Sequence, residues 1–217
     1  GVIHADPDYR HGLRLLVSSQ DDMEWVFEDA HPYSALERLA DALVDVLIVD
    51  YFLSGITGVE FTSRLGENAI AQEAKLAPVI LANVRYSPAL RLAMLRAGVS
   101  DVLPLDPHPE TVLQAIRTNA FGGPQISRRE LTALFEVLDL PARPNPALAL
   151  GLSALAEADA LALSGFERGL EDSEIASETG EPVYRVRKRL ERIAKGFGFS
   201  TRGQMFLALY ENGKVNA

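Results

Sequence analysis

Asp45-Val46-Leu47-Ile48-Val49-Asp50 is the stretch on which the reading of this chain turns. Four apolar residues in a row, mostly β-branched, have the unbroken character of a central strand buried on both faces of a parallel sheet. Outward from it, residues 1–121 alternate short apolar runs with helical patterns. Strands are expected over Val2–Ala5, Glu24–Glu28, Val46–Asp50, Pro78–Ala82 and Asp101–Leu103. Helices are expected over Asp8–Val17, Ser34–Ala42, Gly58–Leu65, Pro88–Ala97 and Pro109–Phe121. This alternation implies an α/β fold, a five-stranded parallel sheet with helices on both faces. Ligands of such sheets bind at the carboxyl ends of the strands, where Asp50 falls.

The chain of 217 residues suits two domains. Its N-terminus lacks the basic region and apolar run of a signal peptide, and no apolar run reaches the roughly 18 residues of a membrane span. The absence of cysteine excludes disulfides and thiolate metal sites and agrees with a cytoplasmic location. The net charge of −9 is unevenly spread. Residues 1–121 hold 17 acidic and 9 basic side chains, whereas residues 151–217 hold 10 and 9. Within the latter, Arg185, Arg187, Lys188, Arg189, Arg192 and Lys195 crowd into eleven residues, opposed only by Glu191. An acidic protein can still bind nucleic acid when its cations gather on one face.

Gly122-Gly123-Pro124 closes the first domain. The segment 122–150 reads as a linker with a short amphipathic helix over Ser127–Leu138, followed by three prolines between Pro141 and Pro146 that favour extended chain. Residues 151–217 read as four helices. Ser153 and Asp172 are candidate caps of the first two, Gly180 ends the second, Pro182 suits the first turn of the third, and Ser200 caps the last.

The first domain resembles a two-component receiver. The matching residues are Asp50, Gly55 and Gly58, Pro78, Ala97-Gly98 and Pro109-Glu110. The resemblance implies a flavodoxin-like receiver fold and a phosphoacceptor position at Asp50. In that family Mg²⁺ is held by carboxylates after the first strand. A Ser/Thr after the fourth strand and a lysine after the fifth bind the phosphoryl oxygens. This chain departs at those places. His4 and Ala5 stand where the acidic pair belongs, Asn83 at the Ser/Thr position, Leu105 at the lysine position, and Val102 where a switch aromatic is common. A one-residue slip would bring Asp6 into the pocket and leave a weak Mg²⁺ site with Asp50. Loss of one preorganised donor can cost about 100-fold in rate, so an atypical, degenerate receiver is expected, with no cofactor.

Residues 152–211 resemble the LuxR-type helix-turn-helix. The matching residues are Leu155, Gly169-Leu170, Glu174-Ile175-Ala176, Gly180, Val186, Leu190, Ile193, Gly198, Arg202 and Gln204. The two resemblances together identify a NarL/FixJ-type response regulator. Arg185 departs by replacing a small Ser/Thr, and Gly196-Phe197 by replacing a Lys-Leu pair. Independently, Val183, Val186, Leu190, Ile193 and Phe197 recur at 3, 4, 3, 4 spacing, a single helical stripe. The resemblance places this helix in the major groove of double-stranded DNA, with Arg187, Lys188 and Glu191 toward base edges. Arg185, Arg189, Arg192, Lys195 and Arg202 complete the expected DNA-binding set, chiefly through phosphates.

His4, His11, His31 and His108 lack ligand spacing; loop or surface positions are expected, with His4 at the pocket rim, and no metal site. Trp25 is expected in the core or at a domain contact. The expected function is a dimeric, sequence-specific transcription regulator that works without ordinary phosphorylation, and not an enzyme. Its receiver-like domain would take a small molecule or a partner protein. The alternative is a conventional regulator phosphorylated on Asp50 by a sensor kinase.

Overall fold

The computed structural model describes residues 1–39, 41–71, 79–84, 87–121, 134 and 145–212. The chain divides into two compact units, Gly1–Gln125 and Ile126–Ala217. The helix expected over Ser127–Leu138, apart from Leu134, lies outside the described residues, as do Gly122-Gly123-Pro124 and residues 141–144 of the expected extended linker.

The first unit runs β1 (Val2–Ile3), α1 (Pro7–Ser18), β2 (Glu28–Asp29), α2 (Pro32–Leu39), β3 (Leu47–Asp50), α3 (Gly58–Ala71), β4 (Val79–Ala82), α4 (Pro88–Ala97), β5 (Val99–Val102) and α5 (Pro109–Ala120). The five strands are all parallel in the order β2-β1-β3-β4-β5. Strand order reverses between β1 and β3, so the crevice at their carboxyl ends is the natural site position. Alternation along the strands separates two apolar layers. Ile3, Leu47, Val49, Val79 and Leu81 face Phe61 and Met94, whereas Val2, Ile48, Ile80 and Ala82 face Leu13, Leu103 and Val112. β3 is buried at all four positions, as its unbroken apolar run requires. Gly58, the first residue of α3, donates its N–H to Tyr51 O at 2.9 Å. A Cβ there would lie 2.5 Å from Asp50 O, so only glycine lets α3 start so close to the end of β3.

β2 differs from expectation. Its pairing is confined to Glu28 and Asp29, opposite Val2 and Ile3, and not Glu24–Glu28. Trp25 is half-buried against the layer containing Val2, and its indole N–H donates to Glu28 Oε2 at 3.1 Å.

The second unit comprises α6 (Pro146–Ser153), α7 (Glu157–Glu167), α8 (Asp172–Thr179), α9 (Val183–Gly196) and α10 (Arg202–Glu211). Its core gathers Leu163, Phe166, Ile175, Val186, Leu190, Ile193, Met205, Phe206 and Leu209. Here too the helix boundaries differ in detail. α6 replaces part of the expected extended linker because Asn145 Oδ1 accepts from the N–H groups of Ala147 and Leu148 at 3.1 Å each, with Pro146 at the first helical position. Ser153 therefore ends a helix instead of starting one. Glu171, not Asp172, caps α8, in a reciprocal box with Glu174. Gly180 ends α8 at φ 68°, and Pro182 is the residue before α9. Thr201, not Ser200, caps α10 in a box with Gln204. No helix among the described residues is long and apolar enough to cross a membrane.

Candidate functional site: the Asp50 pocket and the cationic helix

Asp50 ends β3 and is only 6% exposed. Asn83 follows β4 with φ 61°, a left-handed conformation that asparagine tolerates better than most residues. That conformation brings its Nδ2 to 2.9 Å from Asp50 Oδ1. His4 follows β1 and is buried (7% exposed), a correction to its expected place at a rim or surface. Its Nδ1 accepts the Asp6 N–H at 3.1 Å. The Nε2 atom therefore carries the hydrogen in the neutral ring, and it faces Asp50 Oδ2 at 3.5 Å. Asn83 thus donates to one oxygen of the Asp50 carboxylate, while the His4 Nε2 atom stands 3.5 Å from the other oxygen and 3.2 Å from Asn83 Nδ2. Tyr9, from α1, stacks on the His4 ring with centroids 4.0 Å apart. Its phenol is pushed above its ordinary pKa by burial and by Asp50 and Asp106.

The slip that would bring Asp6 to the pocket does not occur. Asp6 caps α1, its Oδ1 accepting from the N–H groups of Asp8 at 2.8 Å and Tyr9 at 3.5 Å. Ala5 is exposed and brings no donor side chain. Arg10 donates from Nη1 to the carbonyls of His4 (2.5 Å) and Ala5 (2.9 Å), so a guanidinium already holds the loop after β1. Leu105, at the lysine position, is half exposed and supplies no cation. Among the described residues no group of three or more His, Asp or Glu side chains could hold a metal ion. These donors do not fit Mg²⁺, which asks for near-octahedral oxygen coordination.

Burial lowers the His4 pKa below its ordinary value; Arg10 acts in the same direction, against Asp50 and Asp6. The unfolded chain therefore takes up a proton that the folded chain resists. Stability contributed by neutral His4 is complete above about pH 6.5 and declines as pH falls below it. The unfolding midpoint of the first unit is expected to drop more steeply from pH 7 to pH 5 in wild type than in His4→Asn. Parallel pH profiles for the two proteins would show that His4 does not titrate in this way.

On α9 the cations separate into two sets. Val186, Leu190, Ile193 and Ala194 are buried, while Val183 at the helix start is exposed. Arg185, Lys188, Arg192 and Lys195 recur at 3, 4, 3 spacing on the exposed side, with Glu191 beside them, and line a shallow open depression. Arg189, expected at phosphates, also borders this depression, but its side chain is only 16% exposed and its guanidinium is engaged by carboxylates. It donates to Glu181 through Nη2 (2.7 Å) and Nε (3.3 Å), and to Asp159 through Nη1. Those carboxylates raise its pKa further. Arg202 donates to Asp172 through Nη1 at 2.9 Å and Nη2 at 2.5 Å and lies over the Phe166 ring. Arg187, expected at base edges, also reaches Asp172, at 3.4 Å. Asp172 therefore joins α8 to α9 and α10, a role the sequence reading missed by treating it as a cap.

No family model matches the chain. It is 29% identical over 176 residues to the nitrate/nitrite response regulator protein NarP of Escherichia coli (strain K12), covering 81% of this chain and 77% of NarP. It is 24% identical over 209 residues to the transcriptional regulatory protein YdfI of Bacillus subtilis (strain 168), covering 94% and 91%. The chain is thus similar in sequence to a response regulator and to a transcriptional regulatory protein. Its fold is shared by the response regulator RcsB of Salmonella typhimurium (TM-score 0.52, 15% identity, covering 95% and 97% of the two chains). The same holds for a LuxR-family response regulator from Aurantimonas (TM-score 0.51, 22% identity, 64% and 96%).

Proposed function

We propose that this response regulator is a dimeric, sequence-specific DNA-binding protein whose receiver-like unit works without phosphorylation of Asp50. The observation that carries the reading is the state of the Asp50 carboxylate. It is buried and flanked by Asn83 and His4, the first unit holds no lysine among its described residues, and the Asp6 carboxylate is turned to capping α1. In-line attack on a phosphoryl donor needs a free carboxylate oxygen and cations to offset the developing charge. Asn83 takes one oxygen and the buried His4 ring crowds the other, and Leu105 brings no cation.

DNA binding rests on the exposed face of α9. Lys188 and Glu191 are placed for base edges, where lysine favours guanine and glutamate can accept from cytosine N4. Arg185, Arg192 and Lys195 suit phosphates. A two-fold symmetric dimer would read paired half-sites. The input would then be a small molecule or a protein partner at the receiver-like unit.

Incubation with a small phosphodonor and Mg²⁺ is expected to leave the intact mass unchanged while the protein still binds duplex DNA. A single added phosphoryl group that disappears in Asp50→Ala would restore the conventional kinase-driven regulator.

A further inference from the structure

We propose that Asp159 is an internal counter-ion that holds Arg192 in the free protein and releases it to a DNA phosphate on binding. The inference rests on the DNA-binding reading of α9 and adds a residue from α7 that sets its affinity.

Asp159 lies in the first turn of α7 with its side chain only 15% exposed, and its Oδ1 accepts from two guanidinium groups. One belongs to Arg189, which is fixed. Its other donors form a forked pair with Glu181, so it keeps a counter-charge whatever Asp159 does. The second belongs to Arg192, whose Nη2 lies 2.6 Å from Asp159 Oδ1 while its side chain is 66% exposed. Arg192 also shares the face of α9 that carries Arg185, Lys188 and Lys195.

An ion pair whose arginine is this exposed is weak, because water screens the guanidinium and ordering a long side chain opposes the contact. A phosphate at the same face can therefore take Arg192 from Asp159, by a rotation of the exposed side chain that leaves Arg189 in place. The exchange makes the free protein a weaker non-specific binder than its count of exposed cations implies. Three cations on that face have no ion pair recorded among the described residues, while the fourth must first leave its carboxylate.

The test uses the full chain and a 25-base-pair duplex of random sequence, so that only the electrostatic part of binding is read. Asp159→Asn is expected to tighten binding by about 1.4- to five-fold, the range that weak ion pairs span. In an Arg192→Gln background the same substitution should bring no gain, because the cation it releases is gone. Equal tightening in both backgrounds would reduce Asp159 to one negative charge in the general field and overturn the proposal. No tightening, with the thermal midpoint unchanged, would overturn it as well.

Should Asp159→Asn lower that midpoint, Arg192→Gln alone decides. At so exposed a position it leaves the fold intact. It is expected to weaken binding less than Lys195→Gln, since binding no longer has to break the Asp159 pair; an equal or larger loss would overturn the exchange. Wild type that fails to bind the duplex at low salt, where phosphate contacts are strongest, would instead sink the DNA-binding reading itself.

Discussion

Replacing Arg189 with alanine is expected to lower the stability of the C-terminal unit by about 3 kcal/mol, the low end of the range for breaking a buried ion pair. The low end applies because the three partners keep some solvent access, with side chains 15–21% exposed. The cost arises less from the attraction removed than from what stays behind. Glu181 loses a forked partner and Asp159 loses its fixed one, leaving two carboxylates sheltered from water. For a domain of this size, 3 kcal/mol corresponds to a fall in melting temperature of about 12–24 °C. Arg189→Lys should fall between wild type and alanine, since an ammonium keeps the charge but cannot reproduce the fork. Calorimetry of the three proteins measures this directly. An Arg189→Ala protein that melts like wild type but binds DNA poorly would return Arg189 to the interface.

The contrast between Arg189 and its neighbours shows how far the sequence could be read. Periodicity correctly placed Val186, Leu190 and Ile193 inside. At about 100° per residue, Arg185, Lys188, Arg192 and Lys195 fall within roughly 80° of one another, opposite that stripe. Arg189 falls about 100° from Leu190, on the flank of the stripe, and Arg187 lies on the other flank. A flanking arginine can turn either to solvent or along the protein surface. Carboxylates from other helices decided between these: Asp159 and Glu181 for Arg189, Asp172 for Arg187. Such partners come from tertiary packing and leave no mark on the spacing within α9.

The Asp50 pocket follows the same logic. The apolar run of β3 fixed Asp50 at a strand end, and the topology put that end at the switch between β1 and β3. The direction of His4 was not legible, because it depends on the Asp6 N–H that fixes its ring and on Tyr9 stacking against it. Asp6 could be read as a pocket carboxylate or as a helix cap. The following Pro7, favoured in the first turn of a helix, agrees with the cap that the structure contains. Likewise Asn145-Pro146 is a helix start, and counting prolines as linker concealed it.

Lys188→Glu is expected to produce the opposite signature to Arg189→Ala: full stability with weakened DNA binding. Lys188 is exposed on the cationic face and has no ion pair recorded among the described residues. A surface substitution of this kind should change stability by no more than about 0.5 kcal/mol. Binding should suffer twice, through loss of a cationic contact and through a carboxylate brought beside Glu191 against a polyanion. A direct base contact is worth about 1–3 kcal/mol, so affinity is expected to fall by roughly ten- to a hundred-fold at low salt. Because part of that loss is electrostatic, the gap between variant and wild type should narrow as salt rises. Binding isotherms at several salt concentrations, beside a melting curve, separate the two effects. Unchanged affinity at every salt concentration would remove Lys188 from the interface. A gap of constant size would assign it to a base edge alone, because only a contact to the phosphate backbone alters the number of counterions released.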